Sequence, residues 1–496
     1  MRLAYFSPLN PVQSGISDYS EELLPFLARG ATVDLFIDKY KPSNPAIPAQ
    51  FRVLPARRFD AANRAAPYDS PIYQMGNSPA HAYIYERLLK TPGVLVLHEF
   101  VLHHLRMWMA LRRGKGRAYL QAMRATYGEA GRQAAERVLL GQHPEALFNF
   151  PLVEEALARA TGVIVHSRYM AAQVRQVRAD VPLAVVNMGV PLPPYVPRDV
   201  ARARLGLAPD VFILSSMGHL NPYKRLNVAL RAFKALVMQY PRALFLLVGS
   251  RSPNYNVDRM ISMLGLQERV RVIGYAPPAE FADYLAASDV CINLRYPTAG
   301  ETSAALLRIM GGGKPVLVSA VGSFTELPDA AAAKVDVGGI EEELLLEDLL
   351  LLARRPDLRL AMGRAARRYV AEQHTLEGAA RGYLTFLADL LGQQAPVADL
   401  VPPPYQDDMP TVPDPPLAPP AKPAAPPPAA HAAPAAAPAP PAASPAPAAG
   451  PPPAPAPAPP PPTTPLATLA AAAAACAVAP DDPLLPALLR RVDGLL

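Results

Sequence analysis

Short apolar runs alternate with helical stretches along the first 391 residues, and this alternation limits the fold more than any other feature. One series of apolar runs lies at residues 2–7, 31–37, 70–75, 93–98, 161–166 and 183–187. A second series lies at residues 211–217, 243–249, 270–273, 290–294 and 315–319. Strands that alternate with helices are typical of a parallel, doubly wound sheet. The sequence therefore predicts an α/β protein with two Rossmann-like halves.

Residues 191–202 (PLPPYVPRDVAR) interrupt the alternation with prolines and charges, as interdomain linkers do. We therefore predict two domains, residues 1–195 and 196–391, that face each other across a cleft. Clefts between domains are common ligand sites.

Proline usage changes sharply after the second series. About half of the 61 prolines fall between residues 396 and 465. A Pro/Ala tract with few aromatic and charged residues cannot bury enough apolar surface to offset its ordering entropy. We therefore expect residues 392–482 to be a disordered tail. Residues 483–496 have the pattern of a short amphipathic helix, although a frayed terminus is the commoner explanation.

Composition excludes several classes of protein. The two cysteines, Cys291 and Cys476, argue against a disulfide framework or a cysteine metal site and indicate a reducing compartment. The net charge of +6 is too mild to indicate nucleic-acid binding. The sequence has neither a signal-peptide layout nor 18 uninterrupted apolar residues, so we expect a cytoplasmic protein without a spanning helix.

Residues 103–126 are basic and include Trp108, the only tryptophan. A basic amphipathic helix here could lie on the inner face of the cell membrane, although a solvated basic face is the commoner explanation.

The most informative segment is NLRYPTAGETSAALLRIMGGGKPV, residues 293–316. It is predicted to form a strand end, a loop, a helix, a turn and another strand. Glu301, Thr302 and Ser303 would then lie between the carboxyl end of a strand and the amino end of a helix. Ligands of open α/β sheets bind there, and free N–H groups favour an anion. The same three residues also fit a simple N-cap cluster.

Three further positions lie at predicted strand ends. GHLNPYKR, residues 218–225, places Lys224 beside a helix amino terminus, an arrangement that suits a diphosphate but also a surface helix cap. In the first half, the loop around Gly15 and the strand-terminal His98 face the same predicted cleft.

The spacing of His98, Glu99, His103 and His104 resembles that of metal ligands, but a strand-to-helix break separates them and we expect no metal site. The absence of GxGxxG after the first strand argues against a dinucleotide dehydrogenase, and no nucleophile elbow is present.

Five segments in this order make residues 1–391 resemble the GT-B glycosyltransferases of family 4. They are FSPLNPVQSGISDYS, GHLNPYKR, LFLLVGS, VIGYAPPAEFADYLAASDVCINLRYPTAGET and GGGKPVLVSAVGSFTELPD. The resemblance implies a retaining hexosyltransferase that needs no metal or other cofactor. Its donor would be a UDP- or GDP-sugar, and its acceptor a glycan, a lipid-linked sugar or a small molecule in polysaccharide or glycolipid biosynthesis.

The resemblance also implies roles for individual residues. The candidate catalytic residues are Glu301 at the donor sugar, His98 beside it, and Lys224 at the diphosphate. The donor-binding set adds Gly15, Gly218, His219, Tyr275, Thr302, Ser303 and Arg308. His219 stands where the family has an arginine. Arg308 stands at the second glutamate of the family's E-x7-E motif, and Glu301 lies one residue beyond the strict position of the first.

Two other functions fit the same fold. One is a non-catalytic GT-B scaffold whose Pro/Ala tail recruits partners, and the altered second glutamate favours it. The other is a GT-B nucleotide-sugar epimerase or a phosphorylase, although no pyridoxal-phosphate lysine environment can be located for the latter.

Overall fold

The computed structural model describes residues 1–142, 145–253 and 255–414. It contains two parallel sheets. The first has the strand order β3-β2-β1-β4-β5-β6-β7, with β1 (Arg2–Phe6), β2 (Thr32–Ile37), β3 (Arg52–Pro55), β4 (Ser70–Met75), β5 (Gly93–Leu97), β6 (Ala160–Val165) and β7 (Leu183–Val185). The second has the order β10-β9-β8-β11-β12-β13, with β8 (Ile213–Met217), β9 (Leu244–Val248), β10 (Val270–Gly274), β11 (Val290–Asn293), β12 (Val316–Ser319) and β13 (Ala333–Val335).

Helices connect the strands and cover both sheets. Those of the first half are α1 (Gly15–Leu27), α2 (Ala46–Gln50), α3 (Phe59–Ala65), α4 (Ala82–Lys90), α5 (His103–Arg112), α6 (Gly116–Leu139), α7 (Ala146–Asn149), α8 (Glu154–Arg159) and α9 (Arg168–Val177). Those that follow are α10 (Arg198–Leu205), α11 (Leu226–Gln239), α12 (Val257–Leu264), α13 (Pro278–Ala287), α14 (Ala304–Gly311), α15 (Glu341–Arg354), α16 (Pro356–Gln373) and α17 (Leu376–Leu391). Short 3₁₀ turns lie at Ala56–Arg58, Pro79–His81, Pro222–Lys224 and Gly322–Glu326.

The predicted α/β architecture is confirmed. Strands β5, β8 and β9 are buried at every position, as expected for parallel strands with helices on both faces. The sequence pattern missed β3 and β13, which are short strands at sheet edges. It also wrongly predicted one helix over residues 103–126. The chain instead turns between α5 and α6 through Gly114, whose φ of 64° is a left-handed conformation that suits glycine.

The carboxyl ends of the two sheets meet each other. The Phe100 N–H, just after β5, donates to the Ala299 carbonyl, after β11, at 2.7 Å. Glu326, after β12, accepts hydrogen bonds from the N–H groups of Arg168 and Tyr169 at the start of α9. The strand order reverses between β1 and β4 in one sheet and between β8 and β11 in the other. Both topological switch points, where α/β sheets bind ligands, therefore open into one cleft.

The last helix returns to the first domain, whereas the sequence analysis placed residues 196–391 together in the second. Helix α17 packs against α1, and the Tyr19 hydroxyl donates to the Tyr383 hydroxyl at 3.2 Å. The return crosses beside the linker, since the Val190 N–H donates to the His374 carbonyl at 2.9 Å. The chain thus crosses between the two domains twice, once in each direction.

Residues 392–414 correct the predicted start of the tail, because they pack on both domains. Leu400 is fully buried, and Met409 lies against Gly313 of the second domain. Asp408 accepts two hydrogen bonds, both 2.6 Å long, from the buried Arg367 guanidinium. These contacts bury apolar surface and pair charges, and the proline-rich composition of the segment gives no indication of them. The rest of the predicted tail and the helix at 483–496 lie outside the described residues.

Substitution Leu400→Ala tests whether this segment contributes to the fold. We expect it to lower the free energy of unfolding by about 2–5 kcal/mol, as for other fully buried leucines. The adjacent Val401 is 65% exposed, so Val401→Ala should change it by less than about 0.5 kcal/mol. Urea denaturation measures both, and equal small effects would contradict the packing of residues 392–414.

Candidate active site

Gly218, Lys224 and the first turn of α14 converge at the switch point of the second sheet. Gly218 follows β8 with a φ of 92°. A Cβ at Gly218 would lie 3.1 Å from Lys224 Nζ and 3.5 Å from the Ala305 Cβ. The absence of a side chain therefore leaves an ammonium group and the free N–H groups of a helix amino terminus around one backbone position. Such an arrangement suits an anion.

Lys224 is only 4% exposed, and its Nζ donates to the Met217 carbonyl. Burial, with a smaller effect of the nearby Arg295 charge, lowers the pKa of Lys224 to about 7. A negative ligand would favour the charged form. A charged Lys224 in this buried position therefore lowers the stability of the folded protein. A bound anion would offset that cost.

His219 follows β8 and Tyr275 follows β10, with β9 between these two strands in the sheet. His219 Nδ1 is 2.9 Å from Ser250 Oγ, after β9. Burial and then the Lys224 charge lower the pKa of His219, so a neutral imidazole stands beside the lysine. Tyr275 follows β10 and is 63% exposed, so the rest of the described structure leaves most of it uncovered.

Glu301 is held by its own loop. Its Oε2 accepts hydrogen bonds from Thr298 Oγ1 at 3.0 Å and from the Ala299 N–H at 2.9 Å. Arg295 Nε lies 2.9 Å from its Oε1. The carboxylate is therefore fixed in position beside the amino end of α14.

Ser303 and Thr302 have different partners. Ser303 is the N-cap of α14, because its Oγ accepts from the Leu306 N–H at 3.2 Å. Thr302 Oγ1 reaches the His166 carbonyl of the first domain at 3.4 Å. The predicted N-cap is thus present, and Thr302 faces the other domain.

The first domain contributes a cluster of buried rings. His98, which follows β5, packs against His166 and Tyr19 with ring centroids 4.9 and 5.5 Å away. His98 Nε2 lies 2.6 Å from Gln74 Oε1, and burial, followed by the charge of His166, lowers the pKa of His98 well below its usual value. The imidazole is therefore neutral. Gly15 begins α1 at the β1/β4 switch point, and a Cβ there would meet open space.

Sequence reasoning missed two charged residues of the cleft. Glu99 accepts a hydrogen bond from the Asn77 N–H at 3.0 Å. Burial, and then repulsion from Glu301, raise the pKa of Glu99 to about 7. Arg295 forms the ion pair with Glu301 described above. Glu99 lies two residues after β5, and Arg295 lies two residues after β11. This position at the carboxyl end of a strand is the sequence signal that could have identified them.

Arg308 points toward the first domain. Its guanidinium donates to Glu22 on α1. Burial raises the pKa of Glu22, although Arg308 opposes the shift. This ion pair spans the cleft where the sequence comparison expected a glutamate, and its two partners are 286 residues apart in sequence.

Comparison with known proteins shows what this site resembles. Residues 197–369 match the family model for Glycosyl transferases group 1. A D-inositol 3-phosphate glycosyltransferase from Nocardia farcinica is 32% identical over 227 residues, which are 43% of this chain and 49% of that protein. Its counterpart from Saccharomonospora viridis is 28% identical over 243 residues, which are 46% and 56% of the two chains. The chain spans about half the length of these curated relatives.

Solved structures share the architecture. Sucrose-phosphate synthase from Thermosynechococcus elongatus has a TM-score of 0.60 and 20% identity, and the match covers 79% of this chain and 99% of that one. Anabaena Alr3699/HepE in complex with UDP and glucose has a TM-score of 0.56 and 16% identity, with 78% and 100% covered. The chain therefore has the GT-B fold.

The described residues contain no group of three or more His, Cys, Asp or Glu side chains placed to hold a metal ion. No helix among them has the length and apolar character needed to cross a bilayer.

Lys224→Met tests the electrostatic cost of the buried ammonium. Because the pKa of Lys224 is about 7 in the folded protein and near 10.4 in an unfolded chain, burial of the charge opposes folding at and below pH 7. The variant should raise the free energy of unfolding at pH 7, by as much as about 4 kcal/mol. Wild type gains stability as pH rises from 7 to 10, so the difference should shrink over that range.

Lys234→Met is the matched control, since Lys234 is an exposed residue of α11. It should stay within about 0.5 kcal/mol of wild type. Denaturation curves at pH 7 and pH 9 make the comparison. A Lys224→Met variant less stable than wild type at both pH values would contradict the assignment.

Proposed function

We propose that the protein is a glycosyltransferase that moves a hexose from a nucleotide-sugar donor to an acceptor hydroxyl. The convergence of Gly218, Lys224 and the first turn of α14 supports this proposal most directly. A diphosphate placed there would neutralise the buried ammonium and accept hydrogen bonds from the helix amino terminus. The match of residues 197–369 to group 1 glycosyltransferases supports the same function.

The remaining site residues then take roles around the donor. His219, Thr302 and Ser303 would complete the diphosphate site, with Gly15 across the cleft. Glu301 would accept hydrogen bonds from the hydroxyls of the donor sugar, and His98 would lie on the other side of that sugar. Tyr275 would contact the base through its backbone, and Arg308 would lie near the ribose. A UDP-sugar is the favoured donor, because a protein of the same fold is named in complex with UDP and glucose.

The reaction we propose retains the anomeric configuration and needs no metal, as in family 4. The bond between the sugar C1 and the diphosphate oxygen breaks, and a bond from C1 to the acceptor oxygen forms on the same face. The acceptor proton passes to the leaving diphosphate. Lys224 and the α14 amino terminus would stabilise the charge that develops on that group, which is usually the largest catalytic contribution. Closure of the two domains would exclude water and align the reactants.

The acceptor in this proposal is a glycan or lipid-linked sugar at the cytoplasmic membrane face, within polysaccharide or glycolipid biosynthesis. The basic surface of α5 and α6 would supply peripheral membrane contact. A non-catalytic scaffold is the second candidate, because Arg308 is engaged with Glu22 and offers the ribose no carboxylate.

Ligand binding and turnover by wild type and Glu301→Gln test the proposal. UDP, GDP, ADP and their hexose conjugates are screened by thermal shift. A ligand that binds the folded protein should raise the free energy of unfolding by about 2.7 kcal/mol at a hundred times its Kd. Glu301→Gln should bind UDP within about threefold of wild type. It should transfer or hydrolyse the sugar roughly 10²-fold more slowly, because a charge-assisted hydrogen bond to the sugar is lost.

Glu268→Gln serves as the control, since Glu268 is exposed before β10, away from the cleft. Its turnover should equal that of wild type. The absence of binding to every nucleotide would contradict a nucleotide-sugar enzyme. Binding without any transfer, hydrolysis or epimerisation would favour the scaffold.

A further inference from the structure

A cavity of about 280 Å³ lies between the two domains, behind the loop that carries Glu301. One wall is formed by residues 298–300 of this loop, and the others by first-domain residues that follow β5, lie in or just after α7, or lie along α9. Its volume is close to the lower end of the roughly 300–1,000 Å³ usual for small-molecule sites. Neither the family match nor the proposed donor site accounts for it.

The cavity is adjacent to the carboxylate at the proposed reaction centre. Thr298 and Ala299, which line it, are the two residues whose O–H and N–H groups hold Glu301. Gly300 presses the loop against the first domain, since a Cβ there would lie 2.7 Å from Met170 Sδ and 3.4 Å from the Tyr169 ring. A ligand in the cavity would therefore lie beside the loop residues that hold Glu301.

Two classes of side chain in the cavity lining are suited to a sugar. Phe100, Phe148 and Tyr169 present aromatic rings, and Asn149, Gln173 and Gln176 present carboxamides. Of the described residues that line it, none is Asp, Glu, Lys or Arg. Carboxamides both donate and accept hydrogen bonds, as sugar hydroxyls do, and aromatic faces pack on the apolar side of a sugar ring. A charged ligand would lose its hydration there without an ionic partner.

Tyr169 connects the cavity electrostatically with the reaction centre. Burial raises the pKa of its hydroxyl, and the charge of Glu301 raises it further. The phenol therefore stays neutral within electrostatic range of the carboxylate.

We propose that this cavity binds an uncharged sugar unit of the acceptor and presents its hydroxyl to the donor C1. The proposal rests on the proposed glycosyltransferase function and names the class of acceptor. It also sets this chain apart from relatives named for inositol 3-phosphate, because a phosphate would need a cation that the described lining does not provide.

Saturation-transfer NMR on the full chain with saturating UDP tests the proposal. The probes are methyl glycosides of glucose, galactose and mannose, with glucuronic acid and glucosamine as charged counterparts of one ring. At least one neutral glycoside should bind more tightly than either charged sugar. Gln173→Ala and Gln176→Ala should each weaken it about five- to tenfold, the usual value of one hydrogen bond. UDP affinity should not change.

Gln267→Ala is the matched control, since Gln267 is exposed at the amino end of β10 and does not line the cavity. It should bind glycoside as wild type does. UDP binding without any neutral glycoside, tighter binding of a charged sugar, or unchanged affinity in both cavity variants would overturn the cavity assignment alone. If UDP does not bind, the nucleotide that does bind in the thermal-shift screen replaces it, and failure to bind UDP, GDP and ADP would overturn the proposed function and this inference together.

Discussion

The ammonium group of Lys224 lies in the protein interior against a carbonyl, and among the described residues no carboxylate forms an ion pair with it. A buried, unpaired cation opposes folding, as the lowered pKa of Lys224 shows. The protein tolerates this cost where β8 and β11 diverge and where α14 directs its free N–H groups. Gly218 completes the arrangement, since any side chain would fill the space above Nζ. His98, His219 and Glu301 follow strands whose carboxyl ends open onto the same cleft. Arg308 reaches the cleft from α14 instead.

The interface between the domains determines what can reach that point. Glu326 caps the helix α9 of the opposite domain, and Arg308 pairs with Glu22 across the cleft. The chain crosses between domains beside residue 190 and again before α17, and residues 392–414 pack on both halves. Domain closure with rigid sheets is the motion that the proposed reaction requires. Thr298 and Ala299 line the uncharged cavity and hold Glu301, so the cavity lies beside the proposed reaction centre.

Much of this arrangement could be predicted from sequence. The apolar runs identified most strands, and the rule that ligands bind at the carboxyl ends of strands placed Lys224 and Glu301 in one cleft. The pair of Arg308 with Glu22 could not be predicted, because its partners are 286 residues apart and no local pattern couples them. The return of α17 to the first domain is likewise a long-range packing choice. Residues 392–414 were misjudged because composition suggested disorder, whereas the burial of Leu400 and the Asp408–Arg367 pair hold them in place. Helix 103–126 was misjudged because the glycine turn at Gly114 was not weighed against its basic pattern.

If a diphosphate binds beside Lys224, the Lys224 amine should take up a proton when the ligand binds. Calorimetric titration of UDP at pH 8, in two buffers of different ionisation enthalpy, gives the number of protons bound with the ligand. Because the pKa of Lys224 is about 7 in the free protein, the amine is mostly neutral at pH 8 and should become charged beside the diphosphate. We predict uptake of about one proton per UDP by wild type and close to none by Lys224→Met, whose affinity should also fall. Equal proton uptake and equal UDP affinity in wild type and Lys224→Met would contradict the binding of a diphosphate beside Lys224.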